Sequence, residues 1–303
     1  MHSLSLKKPP RLSPGGTIGI VAPAGWVESD LLQKGIARLE HLGFHVIPGK
    51  NVTRRQRYFA GTDLDRAGDF QAMALNKKVD AIFCARGGVG TARMIPHLDR
   101  NILAGSQKIV VGSSDITTLL LYLTHSLGWV TFHGPMAATH FGREASPALE
   151  THLFEILSGK TAEMKFPDLQ TLKSGTAEGI LTGGCLTLLC TTIGTPFEIE
   201  TDDRLLFIED INEAPYRIDR MLSYLKLLGK FDRVRGVIFG EMPGCNPKNL
   251  PEIILDILGD FQCPMLLGFP SGHGLGIATL PLGIPMQLNA DTGTLRMLEP
   301  AVS

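Results

Sequence analysis

The sequence predicts an α/β protein built from two units, and three observations support this. Short apolar, β-branched segments alternate with segments whose apolar residues recur at helical spacing, which is typical of a parallel sheet covered by helices. At 303 residues a single core is near its practical limit, so two domains that share a cleft are expected. Only 7% of the residues are aromatic and 44% are hydrophobic, which favours helices and buried strands over an aromatic recognition surface.

Four segments of the first half are predicted as buried parallel strands because each is short, apolar and followed by Gly, Pro or Ser. These segments are 17–22, 79–85, 108–112 and 130–133. Residues 29–42 carry apolar side chains at helical spacing, and Gly43 follows as the expected C-terminal stop. Helices at 63–75 and 117–126 continue the alternation, so the first half resembles a doubly wound sheet.

Residues 159–178 are predicted to be a linker because they are polar and show no sustained period. The linker separates an N-terminal domain at 1–158 from a C-terminal domain at 179–303. The second domain is predicted to be a smaller, more mixed α/β unit. Its expected helices lie at 185–193 and 216–228, and its expected strands at 205–208, 234–239 and 265–269.

Charge and cysteine content exclude several classes of protein. The 29 Lys and Arg balance 30 Asp and Glu, so no global field attracts nucleic acid or an anionic membrane. The first 16 residues have no apolar run of the kind a signal peptide needs, and no later segment is long and apolar enough to span a bilayer. The five cysteines form no CxxC pair, which fits neither a disulfide framework nor a zinc site. We expect a cytoplasmic protein without metal or cofactor, and a small-molecule or peptide partner.

Residues 108–123 have the outline of a nucleophile elbow. An apolar strand meets the turn Gly112, Ser113, Ser114, and a helix follows at once. A Ser in such a turn is exposed above the sheet, and the backbone amide of the next residue, Asp115, points toward a developing oxyanion. Ser, Thr and Asp are also the usual N-cap residues of helices, and Ile116 occupies the place of the second Gly of G-x-S-x-G. The two interpretations, elbow and cap, have similar weight on spacing alone.

The segment ARGGVGT at 85–91 follows a predicted strand, and its glycines let backbone amides approach a ligand closely. Gly87, Gly88 and Gly90 do not have the spacing of a dinucleotide-binding fingerprint. A plain glycine turn between a strand and a helix explains the same residues equally well.

Two further polar residues follow predicted strands of the second half. Glu209 ends the run LLFIE, and His273 lies in the turn PSGHG. Ligands of open α/β sheets collect at the carboxyl ends of strands, so a Ser, a Glu and a His there are candidates for one catalytic triad. Taken singly, Glu209 is equally consistent with a loop cap, and His273 with a hydrogen-bonded structural residue.

These motifs, taken together, resemble those of the LD-carboxypeptidases, serine peptidase family S66. The sequence carries ARGGVG at 85–90, GSSD at 112–115, FHGP at 132–135, LFIED followed by EAPYRIDRML at 206–222, and PSGHG at 270–274, in the family's order. The resemblance spans nearly the whole chain. It implies that Ser114 is the nucleophile, His273 the general base and Glu209 the acid that orients the base. It also implies that the amides of Gly88 and Asp115 hold the oxyanion.

The same resemblance implies a flavodoxin-like N-terminal domain, a smaller β-rich C-terminal domain, a groove between them and a homodimer. The implied activity is release of the terminal D-Ala from murein tetrapeptides, and Arg86 is a candidate to bind the terminal carboxylate. Within the segments that carry the triad, Ser114 is preferred to Ser113 and Glu209 to Glu213.

Two other functions compete with this interpretation. One is an amidase of the microcin C immunity type, in the same family, which cleaves an amide joining an acyl group to a nucleotide-like moiety. The other is a non-catalytic module that holds a peptide or a sugar in the same groove. Two positions depart from the family pattern, since Val89 replaces a Tyr and Cys185 an Asn, and both changes bear on substrate preference rather than reaction type.

Overall fold

The computed structural model describes residues 6–143, 146–160, 163–166, 169–245, 249–274 and 277–303. Within these ranges the chain forms two sheets with helices packed against them, which confirms the α/β prediction. The first five residues and parts of the predicted linker, 161–162 and 167–168, lie outside the described residues.

The strands of the described residues are numbered in chain order. They are β1 (Thr17–Val21), β2 (His45–Pro48), β3 (Ala81–Cys84), β4 (Ile109–Gly112), β5 (Thr131–His133), β6 (Glu163–Lys165), β7 (Gln170–Lys173), β8 (Thr176–Cys185), β9 (Arg204–Glu209), β10 (Gly236–Glu241), β11 (Met265–Gly272), β12 (Leu280–Leu282), β13 (Pro285–Asn289) and β14 (Thr294–Met297).

The helices are α1 (Ser29–His41), α2 (Asp63–Leu75), α3 (Thr91–Met94), α4 (Arg100–Ala104), α5 (Thr117–Leu127), α6 (Pro147–Leu157), α7 (Leu186–Thr191), α8 (Pro215–Leu227) and α9 (Leu250–Leu258). Short 3₁₀ turns at Ile95–His97 and Ser114–Ile116 and a π-helical turn at Ala137–Phe141 complete the helical segments. No helix in this part of the chain combines the length and the apolar character that a membrane span requires.

The first sheet has the order β12-β5-β4-β3-β1-β2. Its five N-terminal strands are parallel, as expected for a doubly wound fold. The sixth strand, β12, comes from the C-terminal half of the chain and pairs antiparallel with β5. The two halves are therefore joined by a shared sheet as well as by the covalent chain.

The second sheet has the order β6-β14-β13-β8-β9-β10-β11-β7. Its centre, from β8 to β11, is parallel, and the outer strands are antiparallel. Because the central strands run in the same direction, their carboxyl ends meet at one edge of the sheet. That edge faces the N-terminal half, where Cys185 at the end of β8 donates its backbone N–H to Thr117 Oγ1 over 3.2 Å.

The predicted linker contains regular structure. Segment 159–178 includes β6, β7 and the beginning of β8, so the expectation of an irregular connection is wrong for these residues. β6 and β7 are the two edge strands of the second sheet, and most of their side chains are exposed or half-buried. Polar edge strands lack the apolar run that identifies a central strand, so the sequence shows no periodic signal there. The position of the boundary between the two domains stays a prediction.

Alternating side chains of β9 show how the cores are arranged. Leu205 and Phe207 join a large core that includes strands of the first sheet, whereas Leu206 and Ile208 join a second core with residues of α7, α8 and α9. Successive residues of a strand face opposite sides of the sheet, so this sheet is buried on both faces. The two sheets share one core, and three helices cover the far side.

A buried arginine on α2 fixes the loops that lie above the first sheet. Arg66 is almost completely buried, and its Nη1 donates to the carbonyl oxygens of Pro23 and Gly90, each over 2.7 Å. Its Nη2 pairs with Asp63, which also binds the exposed Arg93 over 2.8 Å. A guanidinium that satisfies two buried carbonyls holds the loop after β1 and the loop after β3 at a constant separation.

Replacement of this clamp tests its contribution to stability. We expect Arg66→Gln to lower the free energy of unfolding by about 2–5 kcal/mol, because two carbonyls and the Asp63 carboxylate lose a buried partner. The matched change Arg93→Gln removes an exposed arginine from the same Asp63 and should cost about 1 kcal/mol or less. Chemical denaturation measures both values, and equal losses in the two variants would contradict the clamp.

Candidate active site

Ser114 lies in a strained turn between β4 and α5. Its φ is +61°, in the left-handed region that non-glycine residues rarely adopt, and the preceding Ser113 is extended with φ −151°. The residues that begin the 3₁₀ turn and α5, Ser113 and Ile116, make no side-chain capping hydrogen bond. This conformation is that of a nucleophile elbow and not of an N-cap, which favours the first of the two interpretations left open by spacing.

The loop after β3 lies directly against the Ser114 side chain. A Cβ added to Gly87 would be 2.7 Å from Ser114 Cβ and 2.8 Å from its Oγ, so only glycine fits at position 87. The Gly87 carbonyl accepts a hydrogen bond from Gly25 N–H over 3.0 Å, and the adjacent Gly88 has a φ of +113°. The glycines of this segment therefore permit a close approach of the backbone to the Ser114 side chain, and the expected approach to a ligand stays a prediction.

The Asp115 side chain joins the turn of Ser114 to the loop that follows β3. Its Oδ2 accepts hydrogen bonds from the backbone N–H of Thr91 over 2.9 Å and from Thr91 Oγ1 over 2.5 Å. Burial raises the pKa of Asp115, although the bonds from Thr91 and the charge of Arg66 act in the opposite direction. The carboxylate thus holds the start of α3 beside the turn of Ser114.

Glu209 and His273 meet at the carboxyl edge of the second sheet. His273 Nδ1 lies 2.6 Å from Glu209 Oε2, and the two residues are 64 positions apart in the chain. An ionised carboxylate can only accept, so Nδ1 is the donor when Glu209 is charged. Glu209 is completely buried at the end of β9, and His273 follows β11 and is only partly exposed. With Nδ1 occupied in this way, the imidazole presents Nε2 as the atom that can accept or give a proton.

Strand β10, between β9 and β11, leaves room for the contact of Glu209 with His273. β10 lies between β9 and β11, and Gly240 occupies the position beside Glu209. A Cβ at position 240 would be 3.0 Å from Glu209 Cβ and 2.3 Å from the Ser271 carbonyl oxygen. The register between β10 and β11 shifts on both sides of Gly240, and Ser271 Oγ donates to the Ala278 carbonyl over 2.7 Å. The irregular strand and this bond direct His273 over the end of the sheet.

Burial and charge set the pKa values of the pair in a consistent way. Burial lowers the pKa of His273, but the hydrogen bond to Glu209 and the negative charges of Glu209 and Asp210 outweigh it, so the pKa is raised above 6.5. Burial raises the pKa of Glu209, while His273 opposes that shift. The carboxylate stabilises the charged form of the imidazole, as an acid that orients a base must do.

One cavity of about 420 Å³ collects the predicted residues from both halves. Its wall includes Ser114, Gly88 and Arg86 from the N-terminal half and His273 from the C-terminal half. Glu209 lies behind His273, and Asp115 lies behind Ser114, where both are buried. The structure therefore brings every residue singled out from the sequence to this cavity or to the layer directly behind it.

His140 is a cavity residue that the sequence gave no reason to select. It lies in the π-helical turn Ala137–Phe141, and its Nδ1 accepts the backbone N–H of Met136 over 2.9 Å. Burial, followed by the charges of His273 and Arg143, lowers the pKa of His140 to about 4. The ring is therefore neutral at pH 7 with its proton on Nε2, which is a hydrogen-bond donor without charge. Its only sequence signal is proximity to the motif FHGP.

The residues that compete with the predicted triad make other contacts. Ser113 is almost completely buried but also borders the cavity beside Ser114, and Glu213 forms an ion pair with Arg217 over 2.6 Å. Cys185 is buried, pairs in register with Glu209, and has a pKa raised well above its usual value by burial and then by the nearby carboxylates. Val89 is 45% exposed beside the cavity. Neither departure from the family pattern removes a member of the predicted triad.

Metal ligands are not clustered in this region. Across the ranges that the structure describes, no group of three or more His, Cys, Asp or Glu side chains is arranged to hold a metal ion. His133, fully buried at the end of β5, packs edge-on against Phe207 with the ring centroids 5.0 Å apart. Burial, and then the charges of His273 and His140, lower its pKa to about 3, so it packs as a neutral ring.

The chain matches two family models that together cover most of its length. The LD-carboxypeptidase N-terminal domain matches residues 18–134, and the LD-carboxypeptidase C-terminal domain matches residues 178–288. The first model includes the segments of Gly88 and Ser114, and the second includes Glu209 and His273. Ser114 therefore lies within the model for the N-terminal domain, and Glu209 and His273 lie within the model for the C-terminal domain.

Similar proteins come from two groups within this family. The chain is 37% identical to a Bacillus subtilis protein named "Probable murein peptide carboxypeptidase", over 98% of the chain and 95% of the relative. It is 30% identical to the microcin C7 self-immunity protein MccF of Escherichia coli, over 96% of each protein.

Solved structures come from the same two groups. MccF in complex with glutamyl sulfamoyl guanosine superposes with a TM-score of 0.92 at 26% identity, covering 98% of this chain and 99% of that one. Muramoyltetrapeptide carboxypeptidase from Oxalobacter formigenes superposes with a TM-score of 0.82 at 30% identity, covering 93% of this chain and 97% of that one. These similarities confirm the two-domain fold that the family resemblance implied.

The contact with Glu209 raises the pKa of His273 whatever reaction the protein catalyses. We expect Glu209→Gln to lower the pKa of His273 relative to the wild type, because the charge of Glu209 no longer opposes the burial of the imidazole. Glu213→Gln is the matched control, since that acid pairs with Arg217, and it should leave the titration unchanged. Histidine NMR, assigned with His273→Gln, measures the shift. An unchanged pKa in Glu209→Gln would contradict the assignment.

Proposed function

Because the chain belongs to the LD-carboxypeptidase family, we propose that it is a serine peptidase that releases the terminal D-Ala from murein tetrapeptides. The bond to be cleaved is the amide between an L-centre and the D-residue. The observation that carries the proposal is the hydrogen bond of 2.6 Å between Glu209 and His273, placed on the same cavity as the strained Ser114.

The proposed reaction uses these three residues in sequence. His273 Nε2 takes the proton of Ser114 Oγ as the oxygen attacks the amide carbonyl, and Glu209 stabilises the imidazolium that forms. The backbone amides of Gly88 and Asp115 stabilise the oxyanion of the tetrahedral intermediate. His273 then gives the proton to the leaving amine of D-Ala, and an acyl-enzyme remains on Ser114. Water, activated by the same base, releases the acyl group.

The charged groups of the cavity suit a substrate that ends in a free carboxylate. Arg86 and Arg143, both exposed, lie on the cavity wall, and Arg86 is oriented by a hydrogen bond of 2.8 Å to the Trp26 carbonyl. We assign the terminal carboxylate to Arg86, whose neighbour Gly87 contacts Ser114. The neutral Nε2–H of His140 adds a donor that does not oppose the positive charge that develops on His273.

A second candidate function follows from the similarity to MccF. An amidase of the microcin C immunity type would use the same Ser114, Glu209 and His273 on an amide that links an acyl group to a nucleotide-like moiety. Such a substrate calls for an aromatic surface to stack the base. Of the two tryptophans, Trp129 is buried, and one face of Trp26 carries the guanidinium of Arg55, 3.9 Å from the ring centroid. This arrangement favours the murein peptide.

A non-catalytic binding module is the third possibility. A binding protein has no need of a left-handed Ser114 or of a buried carboxylate paired with a histidine, both of which cost stability. Retention of both features together favours an enzyme.

Location and assembly follow from the family resemblance. A role in recycling murein fragments agrees with a cytoplasmic enzyme, and the resemblance implies a homodimer. Light scattering of the purified protein tests the dimer, for which we expect twice the mass of the 32.8 kDa chain.

Replacement of each of the two adjacent serines by alanine tests which one is the nucleophile. We expect Ser114→Ala to lower kcat for D-Ala release by about 10³-fold or more while the protein stays folded, because no other hydroxyl occupies the elbow. Ser113→Ala is the matched control and should retain most of the activity. The rate is measured with a murein tetrapeptide, and folding by circular dichroism. Wild-type activity in Ser114→Ala would overturn the proposed triad.

A choice of substrates separates the two enzyme functions. We expect the purified protein to remove only D-Ala from a murein tetrapeptide and to leave an acyl-sulfamoyl adenylate intact, since one face of Trp26 is covered by Arg55 and Trp129 is buried. Mass spectrometry of the products identifies the bond that is cleaved. Faster cleavage of the adenylate than of the peptide would show that the second function is the correct one.

A further inference from the structure

Beside the cavity lies a surface that the proposed reaction does not use. We name it the arginine rim and define it by Trp26, Arg55, Arg57 and Tyr58. Arg55, Arg57 and Tyr58 are exposed, and Trp26 is half-buried. The rim begins where Arg86, on the cavity wall, donates to the carbonyl oxygen of Trp26 over 2.8 Å. It is therefore continuous with the cavity that holds Ser114.

Backbone hydrogen bonds hold the rim in a defined shape. Gln56 and Phe59 exchange N–H to carbonyl hydrogen bonds of 3.0 Å, which close a tight turn with Arg57 and Tyr58 at its tip. Arg57 has a φ of +57°, the left-handed conformation that such turns require. The N–H of Trp26 donates to the Tyr58 carbonyl over 3.2 Å, so the tip is fastened to the loop after β1.

A buried aromatic ring supports the turn from below. Phe59 is buried, and the guanidinium groups of Arg66 and Arg93 lie 5.0 Å and 4.7 Å from the centroid of its ring. Both of these arginines are paired with Asp63. The turn therefore has a fixed base, and its exposed side chains start from a rigid backbone.

The rim concentrates positive charge that the protein itself does not neutralise. The guanidinium of Arg55 lies 3.9 Å from the centroid of the Trp26 ring, and that of Arg86 lies 5.8 Å from the same centroid. Arg54 has its own carboxylate partner, Asp65, at 2.8 Å. In contrast, no carboxylate of the described ranges lies within ion-pairing distance of Arg55, Arg57 or Arg86.

Arg86 is already assigned to the carboxylate at the cleaved end, so Arg55 and Arg57 are the rim cations left for another anion, and Arg55 is held against the Trp26 ring. We propose that the arginine rim binds a second carboxylate of the peptide substrate, one that is separate from the carboxylate at the cleaved end. The ligand is thus an acidic peptide, and Arg55 and Arg57 are residues that determine specificity. This inference rests on the proposed function for the nature of the ligand, and on the unpaired arginines for the place where it binds.

Guanidinium groups bind carboxylate and phosphate oxygens equally well, so charge alone does not distinguish a peptide from a nucleotide at the rim. We assign a carboxylate because the proposed substrate is a peptide, and because Arg55 already covers one face of Trp26. The contact between Arg55 and Trp26 also orients the fork of the guanidinium before the ligand arrives. A pre-oriented fork loses less conformational entropy on binding than a free arginine does.

A matched pair of peptides tests the rim. Both are L,D-tetrapeptides with a free terminal carboxylate, and they differ only in a second carboxylate, which is free in one and amidated in the other. Binding is measured by calorimetry on the Ser114→Ala protein at low salt, so that no hydrolysis occurs. We expect the free carboxylate to bind about tenfold more tightly, and this preference to decrease at high salt.

Neighbouring arginines supply the controls in that Ser114→Ala background. Arg55→Gln and Arg57→Gln should remove the preference for the free carboxylate, whereas Arg54→Gln, whose arginine is paired with Asp65, should keep it. Equal affinity of the unaltered rim for the two peptides would overturn the proposal. The same loss in Arg54→Gln as in Arg55→Gln would overturn it too, because general surface charge would then explain the preference.

A measurement without a peptide keeps this test separate from the proposed function. Trp26 belongs to the rim and Trp129 is buried in the core, so a ligand at the rim should change the emission of Trp26. We expect the dicarboxylate glutarate to change that emission in the wild type and in Arg54→Gln, but not in Arg55→Gln. This result would support the rim even if no peptide were hydrolysed.

Hydrolysis of both peptides at equal KM with no response to glutarate would overturn the rim alone. A response to adenosine monophosphate without one to glutarate would show a phosphate site and overturn the carboxylate.

Discussion

A buried carboxylate imposes the strictest condition on this structure. Glu209 is completely buried, and an ionised carboxyl group without a partner in such a place costs several kcal/mol. Its partner is His273, and the contact requires that β9 and β11 end at the same edge of the sheet with little between them. Gly240 on β10 supplies that space, and the bond from Ser271 to Ala278 closes the loop that carries His273. The parallel centre of the second sheet and its irregular strand both serve this one contact.

The N-terminal half solves a different problem, which is to hold a strained serine in place. A left-handed Ser114 persists only if its surroundings fix it more strongly than its own backbone preference opposes it. Three contacts do so: Gly87 lies against the side chain, Asp115 binds Thr91, and Arg66 binds the loops after β1 and β3. The shared core and the bond from Cys185 to Thr117 then join this rigid turn to the second sheet. Membership in a serine peptidase family agrees with this division of work between the halves.

The two departures from the family pattern leave the proposed triad unchanged, and other groups around the cavity can act on substrate choice. Val89 and Cys185 replace polar residues of the family pattern, and Cys185 lies directly beside Glu209 in the sheet. His140 adds a neutral donor, and the arginine rim adds unpaired positive charge near the entrance. In the proposed reaction, Ser114, His273 and Glu209 carry the chemistry while other groups of the cavity select the substrate, so a change of substrate would not require a change of chemistry.

Local patterns in the sequence determined the fold class, the bounds of α2, most central strands, and the presence of Ser114, Glu209 and His273 just beyond strands. The periodicity of apolar residues and the turn residues are local features of a few positions, so the sequence alone shows them. The tertiary structure alone decided the rest: β12 joins the first sheet, polar β6 and β7 form the edges of the second, and His140 reaches the cavity. It also favours an elbow over a cap at Ser114, because the left-handed backbone there is visible only in the structure. Contacts between residues far apart in the chain leave no local pattern, and they are what place Glu209, His273 and Ser114 around one cavity.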